Sequence, residues 1–350
     1  MPSTEYAAIV VGASFAGLAV ARQLKGRVLL LDRNEVGAVQ TSACGTPLWV
    51  AEALGVTSSV LQVHERLTVR TGRYSITYDL SAVPFCTFDY RKFCQGLLAQ
   101  CEARFLKTPV TEFREGSVVT PDGTFSAPIV VDCSGWRGVV VNKTAVKPER
   151  GAYTFGLEAH TPVQDDGLTF FIDRDVVAQG LGWVFPVGDG SLIGIGSYAG
   201  RSKLRQSLER YLDTHGVVPG AYHGTYFPNR FGRATVGQVF AVGDAAGQCL
   251  PLTAEGIRPA LYFGGECGKI VQQVMAGSST LASGLARYHA QVGRYRKAYG
   301  FLQAIQWLTV HAPPSWLALL TKLAAHRPLH PRWWPRYGRF GRFGPAEAPA

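Results

Sequence analysis

The chain has no CxxC pair, and its seven cysteines (44, 86, 94, 101, 133, 249 and 267) stand at irregular spacings. A cysteine-built zinc or iron–sulfur site therefore has no support, and a reduced, cytoplasmic compartment is the simple expectation. None of the eight histidines has metal-ligand spacing, so no metal is expected. No run of about 18 uncharged apolar residues occurs, which argues against a membrane-spanning helix. The first apolar run, Ala7–Val11, has no basic segment before it and leads straight into a glycine motif, so it reads as a core strand and not a signal peptide. Internal repeats and low-complexity segments are also missing. Acid is scarce in one place only: residues 268–350 hold 11 Lys/Arg against the single acid Glu347, so the whole net charge of +10 sits there. Such a segment suits an acidic partner surface.

What is present is a folding composition. Hydrophobic residues make up 47% and charged residues 17% of 350 positions, enough for two ordinary domains. Ala7–Val11, a helix-spaced Phe15–Leu24 and Arg27–Leu31 closed by Asp32 form a β-α-β opening. Leu67–Leu80 alternates roughly, Tyr90–Cys101 reads as a helix, and Ile129–Val131 as another buried strand. Residues 151–228 change character. Phe155–His160, Leu168–Ile172, Gly182–Pro186 and Leu192–Ser197 are strand-like, with one helix at about 202–214. Val239–Val242 then returns to the first pattern. The expected fold class is α/β with an α+β second domain. A Rossmann-type parallel-sheet domain would take residues 1–63, 87–150 and 229–290, a mainly antiparallel substrate domain 64–86 and 151–228, and a helical, basic region 291–350.

The turn after the first strand, Gly12-Ala13-Ser14-Phe15-Ala16-Gly17, is GxSxxG, one residue away from GxGxxG. The first glycine permits a tight turn, the small second residue admits a pyrophosphate, and the third lets helix and strand pack closely. Asp32, 20 residues after Gly12, ends the second strand, where a carboxylate can accept ribose hydroxyls, with Arg33 beside it. Glu35 is a rival for the ribose because the intervening helix is short. A second half, Val239–Gly247 continuing through Pro251 to Ile257, runs from an apolar strand into Gly243-Asp244 and a helix beginning near Gly256 and Ile257. Asp244 can hold a ribityl hydroxyl, and the N–H groups around Gly256 can face a flavin. Together the two halves predict FAD rather than NAD.

These motifs, with Asp132-Cys133-Ser134-Gly135-Trp136-Arg137-Gly138, resemble the flavoprotein group that includes p-hydroxybenzoate hydroxylase. Within it, Ala43-Cys44-Gly45 and Gly182-Trp183-Val184-Phe185-Pro186 resemble the Cys-Gly loop and Trp-x-Phe-Pro strand of the geranylgeranyl reductases, over about residues 5–300. The resemblance implies an FAD-dependent oxidoreductase that reduces carbon–carbon double bonds of a prenyl lipid, drawing electrons from NADPH or a ferredoxin-like donor. It implies Cys44 and Gly45 beside the flavin and Val110, in a strand Pro109–Phe113, beside the adenine. Arg91 is a cofactor ligand by the same resemblance, although Tyr90 occupies the place where the family usually has its arginine. Rivals are a flavin monooxygenase or halogenase, whose Trp-x-Trp-x-Ile-Pro strand Gly182–Pro186 echoes only in part, and a quinone-linked dehydrogenase. A non-redox flavoprotein is a further class.

Saturating an isolated prenyl alkene needs a dry pocket, a hydride source and an acid. Cys44 is the candidate for that acid or for a group positioning the flavin side of the site; a buried, inert thiol is the plain alternative. Trp183, Phe185 and Tyr222 are candidate walls of an apolar substrate tunnel, with core packing as the alternative. His160 and His223 read as satisfied polar groups. From Tyr299 to Ala325 two apolar helices are expected around Pro313-Pro314, followed by Arg327, Arg332, Trp333, Trp334, Arg336, Tyr337, Arg339, Phe340, Arg342 and Phe343. Interleaved base and aromatic after apolar helices suit an anionic membrane surface through 299–344. The expected location is cytoplasmic, with peripheral attachment to the cytoplasmic membrane as one reading of this segment and a solvated flexible tail as the alternative; no nucleic acid is expected as partner.

Overall fold

The computed structural model describes residues 4–114, 116–142, 152–326 and 329–341. Arg327, Arg342, Phe343 and Glu347, named above, lie outside the described residues, as do 143–150 of the expected first domain.

A six-stranded sheet forms the centre of the first half, in the order Thr235–Val236, Val239–Ala241, Ile129–Asp132, Ala8–Val11, Val28–Asp32 and Arg104–Lys107. All neighbours are parallel except the first pair. The inner strands are apolar on both faces because both faces are covered. Ala8, Val10, Val28, Leu30, Ile129 and Val131 pack on the helical side. Ile9, Val11, Leu29, Leu31 and Val130 alternate to the other side, against Val118, Ala127 and Val140. Val118 belongs to a four-stranded sheet of Thr4–Glu5, Gly123–Ser126, Ser117–Thr120 and Glu112–Arg114. The expected strand Pro109–Phe113 is thus shorter and later: Thr108–Thr111 is loop, and only Glu112–Arg114 pairs.

On the helical side, Phe15–Ala21 lies across Ile257–Met275. The close approach is set by glycine: a Cβ at Gly264 would stand 2.7 Å from the Ala16 carbonyl oxygen, and one at Gly268 2.7 Å from that of Val20. The first helix ends at Ala21, three residues before the expected Leu24, which still packs in the core at 1% exposure.

The second half is a seven-stranded sheet ordered Tyr222–Pro228, Tyr153–Thr161, Ser191–Ser197, Gly180–Pro186, Leu168–Ile172, Arg66–Thr71 and Tyr74–Asp79. It is antiparallel apart from the parallel pair Leu168–Ile172 with Arg66–Thr71. One face buries Phe171, Val184, Ile193 and Ile195 against Leu208 and Leu212 of the helix Arg205–Thr214. The opposite face looks toward the first half. Helices Leu281–Gly293, Arg296–His311, Pro314–Ala325 and His330–Gly338 follow, the second and third separated at Pro313 as the proline pair requires. Tyr78 donates to the Thr321 carbonyl at 2.8 Å, tying the third of these to the strand Tyr74–Asp79.

His330–Gly338 is docked, not splayed from the body: Trp334 is 3% exposed, and the Trp49 indole donates to the Gly338 carbonyl at 2.8 Å. Arg258, with no exposed surface, holds both oxygens of Glu255 at 2.7 Å and donates to the carbonyls of Tyr337 and Phe340. Its guanidinium also lies 4.9 Å from the Tyr337 ring centroid. A basic–aromatic segment that reads as a surface tail is therefore partly spent on a buried clamp.

Candidate functional site

A cavity of about 1170 Å³ lies between the two halves. It runs from the Gly12–Ala16 turn, past the sheet face bearing Trp183, to a mouth formed by Phe301, Leu308, Leu320 and Trp333.

The glycine turn is fixed by contact. Gly12 has φ of 105°, and a Cβ there would meet the Cys133 carbonyl oxygen at 2.2 Å; one at Gly17 would meet the Gly12 carbonyl oxygen at 1.8 Å. Any larger residue at either place separates strand from helix. Gly17 thus shapes the turn from behind while Gly12, Ala13, Ser14, Phe15 and Ala16 line the cavity. Asp32 accepts from the backbone N–H of Ala13 and of Asn34, each at 2.8 Å. It braces the turn and still faces the cavity, together with Arg33, Glu35 and Val110.

Across the cavity stand Gly243, Asp244, Gly256 and Ile257. Among the described residues no donor reaches the Asp244 carboxylate, and burial pushes its pKa up to about 7. A half-buried carboxyl at the cavity wall fits a ligand that brings hydroxyl donors. Leu252 and Ala254, in the loop before Gly256, hold left-handed φ values of 70° and 55°. Cys44 is the remaining described non-glycine of this kind, at 58°. All three lie in the two loops that bound the cavity, so the backbone strain is concentrated there.

Cys44 itself does not line the cavity, although Ala43 and Gly45 do. Its thiol is 1% exposed and donates to the Ser42 carbonyl at 3.2 Å. Burial first, and the Glu158 carboxylate second, raise its pKa well above the ordinary thiol value. Gly45 lies against the Phe185 ring, where a Cβ would stand 2.8 Å from Cε2.

Two expected ligands are elsewhere. Arg91 is exposed on the helix Tyr90–Leu98, with its backbone against Gly37, and does not reach the cavity. The neighbouring Tyr90 does: it is buried, lines the cavity and bonds Ser14 Oγ at 3.0 Å. Register explains the exchange, because Tyr90 and Phe93 share the buried stripe that Arg91 and Lys92 leave. Tyr222 is also turned away. On its strand His223, Thr225 and Phe227 line the cavity, and strand alternation sends Tyr222 to the opposite face, under Arg205 at 4.6 Å. Trp183 and Phe185 both line the cavity.

Sequence reasoning missed one cluster. Glu158, 3% exposed, accepts from the Trp183 indole at 2.7 Å, and its other oxygen lies within ion-pair distance of His223 Nε2 without a hydrogen bond between them. All three line the cavity. Glu158 and His223 are 65 residues apart in the chain but directly opposite in the strand register, a pairing that only the sheet reveals.

No protein-family profile matches the chain. It is 28% identical over 146 residues to the digeranylgeranylglycerophospholipid reductase of Methanothrix thermoacetophila, a stretch that is 39% of this chain and 37% of that protein. The match thus spans well under half the relative's length. In fold, a geranylgeranyl bacteriochlorophyll reductase-like protein of Thermoplasma acidophilum superposes with a TM-score of 0.84, covering 97% of each chain at 16% identity. The p-nitrophenol 4-monooxygenase of Pseudomonas putida superposes at 0.74, over 98% of this chain and 100% of that one, at 14% identity. By motif, by partial sequence match and by fold, the chain is similar to the geranylgeranyl reductases.

Proposed function

We propose that the chain binds FAD and reduces carbon–carbon double bonds of a prenyl-chain lipid or lipid precursor. The observation that carries this is the shape of the cavity: one end is a dinucleotide turn with two facing carboxylates, and the other is an apolar channel opening at exposed leucines and aromatics. Ser14, Ala13 and Tyr90 would surround the pyrophosphate, Asp32 the adenosine ribose, Val110 the adenine, and Asp244 the ribityl chain. Reduced FAD supplies a hydride. Phe170, Phe185 and Phe227 exclude water from an alkene, and Gly156 leaves room for its chain. Cys44, with its thiol turned to Ser42, would fix the strained loop carrying Gly45 and so position the flavin side of the site.

The same reading proposes how a lipid arrives. Phe301, Leu308 and Leu320 are exposed at the mouth, and Trp307, Trp316, Leu319 and Leu323 are exposed elsewhere on the same helices, Arg296–His311 and Pro314–Ala325, which also carry Arg296, Lys297 and Lys322. Among the described residues no helix is long and apolar enough to cross a membrane. Such a rim suits the surface of an anionic bilayer.

The test is anaerobic: dithionite-reduced, FAD-loaded protein is mixed with a digeranylgeranyl glycerolipid. Flavin reoxidation with a gain of two mass units per bond supports the proposal. Reoxidation by oxygen alone, with a hydroxylated product and an unchanged lipid in its absence, would indicate the monooxygenase chemistry of the second fold neighbour. Dithionite leaves open whether NADPH or a ferredoxin-like donor serves in the cell, which stopped-flow reduction by each would decide.

A further inference from the structure

Reduction of an isolated alkene needs a proton as well as a hydride, and the cavity offers few groups to give one. Asp32 and Asp244 face the dinucleotide end. Glu255 is held by Arg258 and Tyr337. The Tyr78 hydroxyl is committed to the Thr321 carbonyl, and the Cys44 thiol does not reach the cavity. On the face of the seven-stranded sheet that lines the cavity, this leaves Glu158 and His223. They are cross-strand partners, with Glu158 fixed from its other side by Trp183. Glu158 is nearly sealed at 4% side-chain exposure, while His223 keeps 28%. One member is thus buried, and the other keeps contact with water. Glu158 also lies close enough to the loop bearing Cys44 and Gly45 for its charge to act on the Cys44 thiol.

We propose that His223, the cross-strand neighbour of Glu158, is in its protonated form the proton donor of alkene reduction. The proposal rests on the reading of the cavity as a prenyl-lipid reductase site. The hydride from the two-electron reductant forms a C–H bond at the more substituted alkene carbon. An imidazolium N–H bond breaks, and its proton forms the second C–H bond at the neighbouring carbon. The π pair is consumed, neutral imidazole remains, and water reprotonates it. Imidazolium is a weak acid toward an unactivated alkene, so proton and hydride must arrive together, which requires the donor beside the chain. Glu158, directly across the strand pair, is the positioning residue for the His223 ring. Trp183, by occupying the second oxygen, positions Glu158.

Two measurements test this. In the reduced, FAD-loaded protein, His223→Gln and Glu158→Gln should retain the flavin spectrum and lipid affinity but reoxidise with digeranylgeranyl glycerolipid at least ~100-fold more slowly than wild type. Added imidazole should restore part of the rate to His223→Ala. In the oxidised protein, where no turnover occurs, diethylpyrocarbonate should modify His223, and a saturated diphytanyl glycerolipid should slow that modification severalfold. A wild-type rate in His223→Gln overturns the proposal. So does a loss confined to lipid affinity, which would make the pair a binding group, or a His223 that the saturated lipid does not shield. If wild-type protein leaves the lipid unchanged, the reductase reading falls and this inference falls with it.

Discussion

Asp244 is the residue whose chemistry most directly reports on the cofactor. Its pKa of about 7 in the ligand-free chain lies above an unfolded value near 4, because burial penalises the charge and nothing compensates. The sign follows: Asp244 supports the ligand-free fold fully below about pH 4, and that contribution is lost as pH rises through about 7. A cofactor hydroxyl donated to the carboxylate favours the ionised form, so FAD should bind more tightly as pH rises from 5 to 8, by about tenfold or more. Isothermal titration at several pH values would show the slope, and Asp244→Asn should flatten it. Ser14 and Tyr90 form a second residue-scale unit. Each departs from the usual family pattern, and the two departures touch at 3.0 Å. Tyr90→Phe leaves the Ser14 hydroxyl without this partner and should cost about 1 kcal/mol in urea denaturation. The Cys44 thiol, bonded to Ser42 and away from the cavity, predicts that Cys44→Ala slows lipid-dependent reoxidation by less than about tenfold, well short of the loss expected at His223.

Among the elements, the docked helix His330–Gly338 carries the sharpest consequence. Arg258 joins the start of the helix Ile257–Met275 to the Tyr337 and Phe340 carbonyls through a fully buried guanidinium. Arg258→Met strands the Glu255 carboxylate in a buried site, a loss of about 3–5 kcal/mol. It should also free the segment beyond 326, seen as faster trypsin cleavage there. The contrast with the sequence is instructive. The strands Ala8–Val11 and Val28–Asp32 were legible because both of their faces are covered, so apolar runs and glycine spacing suffice to place them. The apolar stripe of Trp334 and Tyr337 was legible too, but not what it faces. An aromatic beside bases has the same local pattern whether it meets lipid headgroups or, as Tyr337 does at Glu255, a buried carboxylate that lies about 80 residues earlier. Tyr222 failed on a related point: residue type suggested a wall, while strand parity decided the face.

At the scale of the molecule, two sheets and a helical cap enclose one cavity whose ends differ in chemistry. The dinucleotide end was largely readable, since close backbone approach demands glycine at Gly12 and Gly17 and a carboxylate at the strand end. The apolar end was readable only as composition, because its walls come from the strands Leu168–Ile172, Gly180–Pro186 and Tyr222–Pro228 and from the cap, which meet through register. The cap itself divides its apolar residues. Trp334 and Leu317 are buried, whereas Trp307 and Trp316 are each 62% exposed and Phe301 66%. Isolated exposed apolar residues are ordinary, but these lie on the two successive helices whose other residues, Phe301 among them, line the channel. A channel for a water-soluble substrate would gain nothing from such a rim, whereas a long-chain lipid could pass along it without crossing water. Seating each large side chain in the headgroup boundary is worth about 1–2 kcal/mol. The combined Phe301→Ser, Trp307→Ser and Trp316→Ser protein should therefore lose most of its co-sedimentation with anionic vesicles while keeping the flavin spectrum. Its rate on a detergent-dispersed digeranylgeranyl lipid should stay near wild type, and its rate on the same lipid in vesicles should fall by tenfold or more. Equal losses in both assays would show that the rim shapes the channel and not its approach to a bilayer.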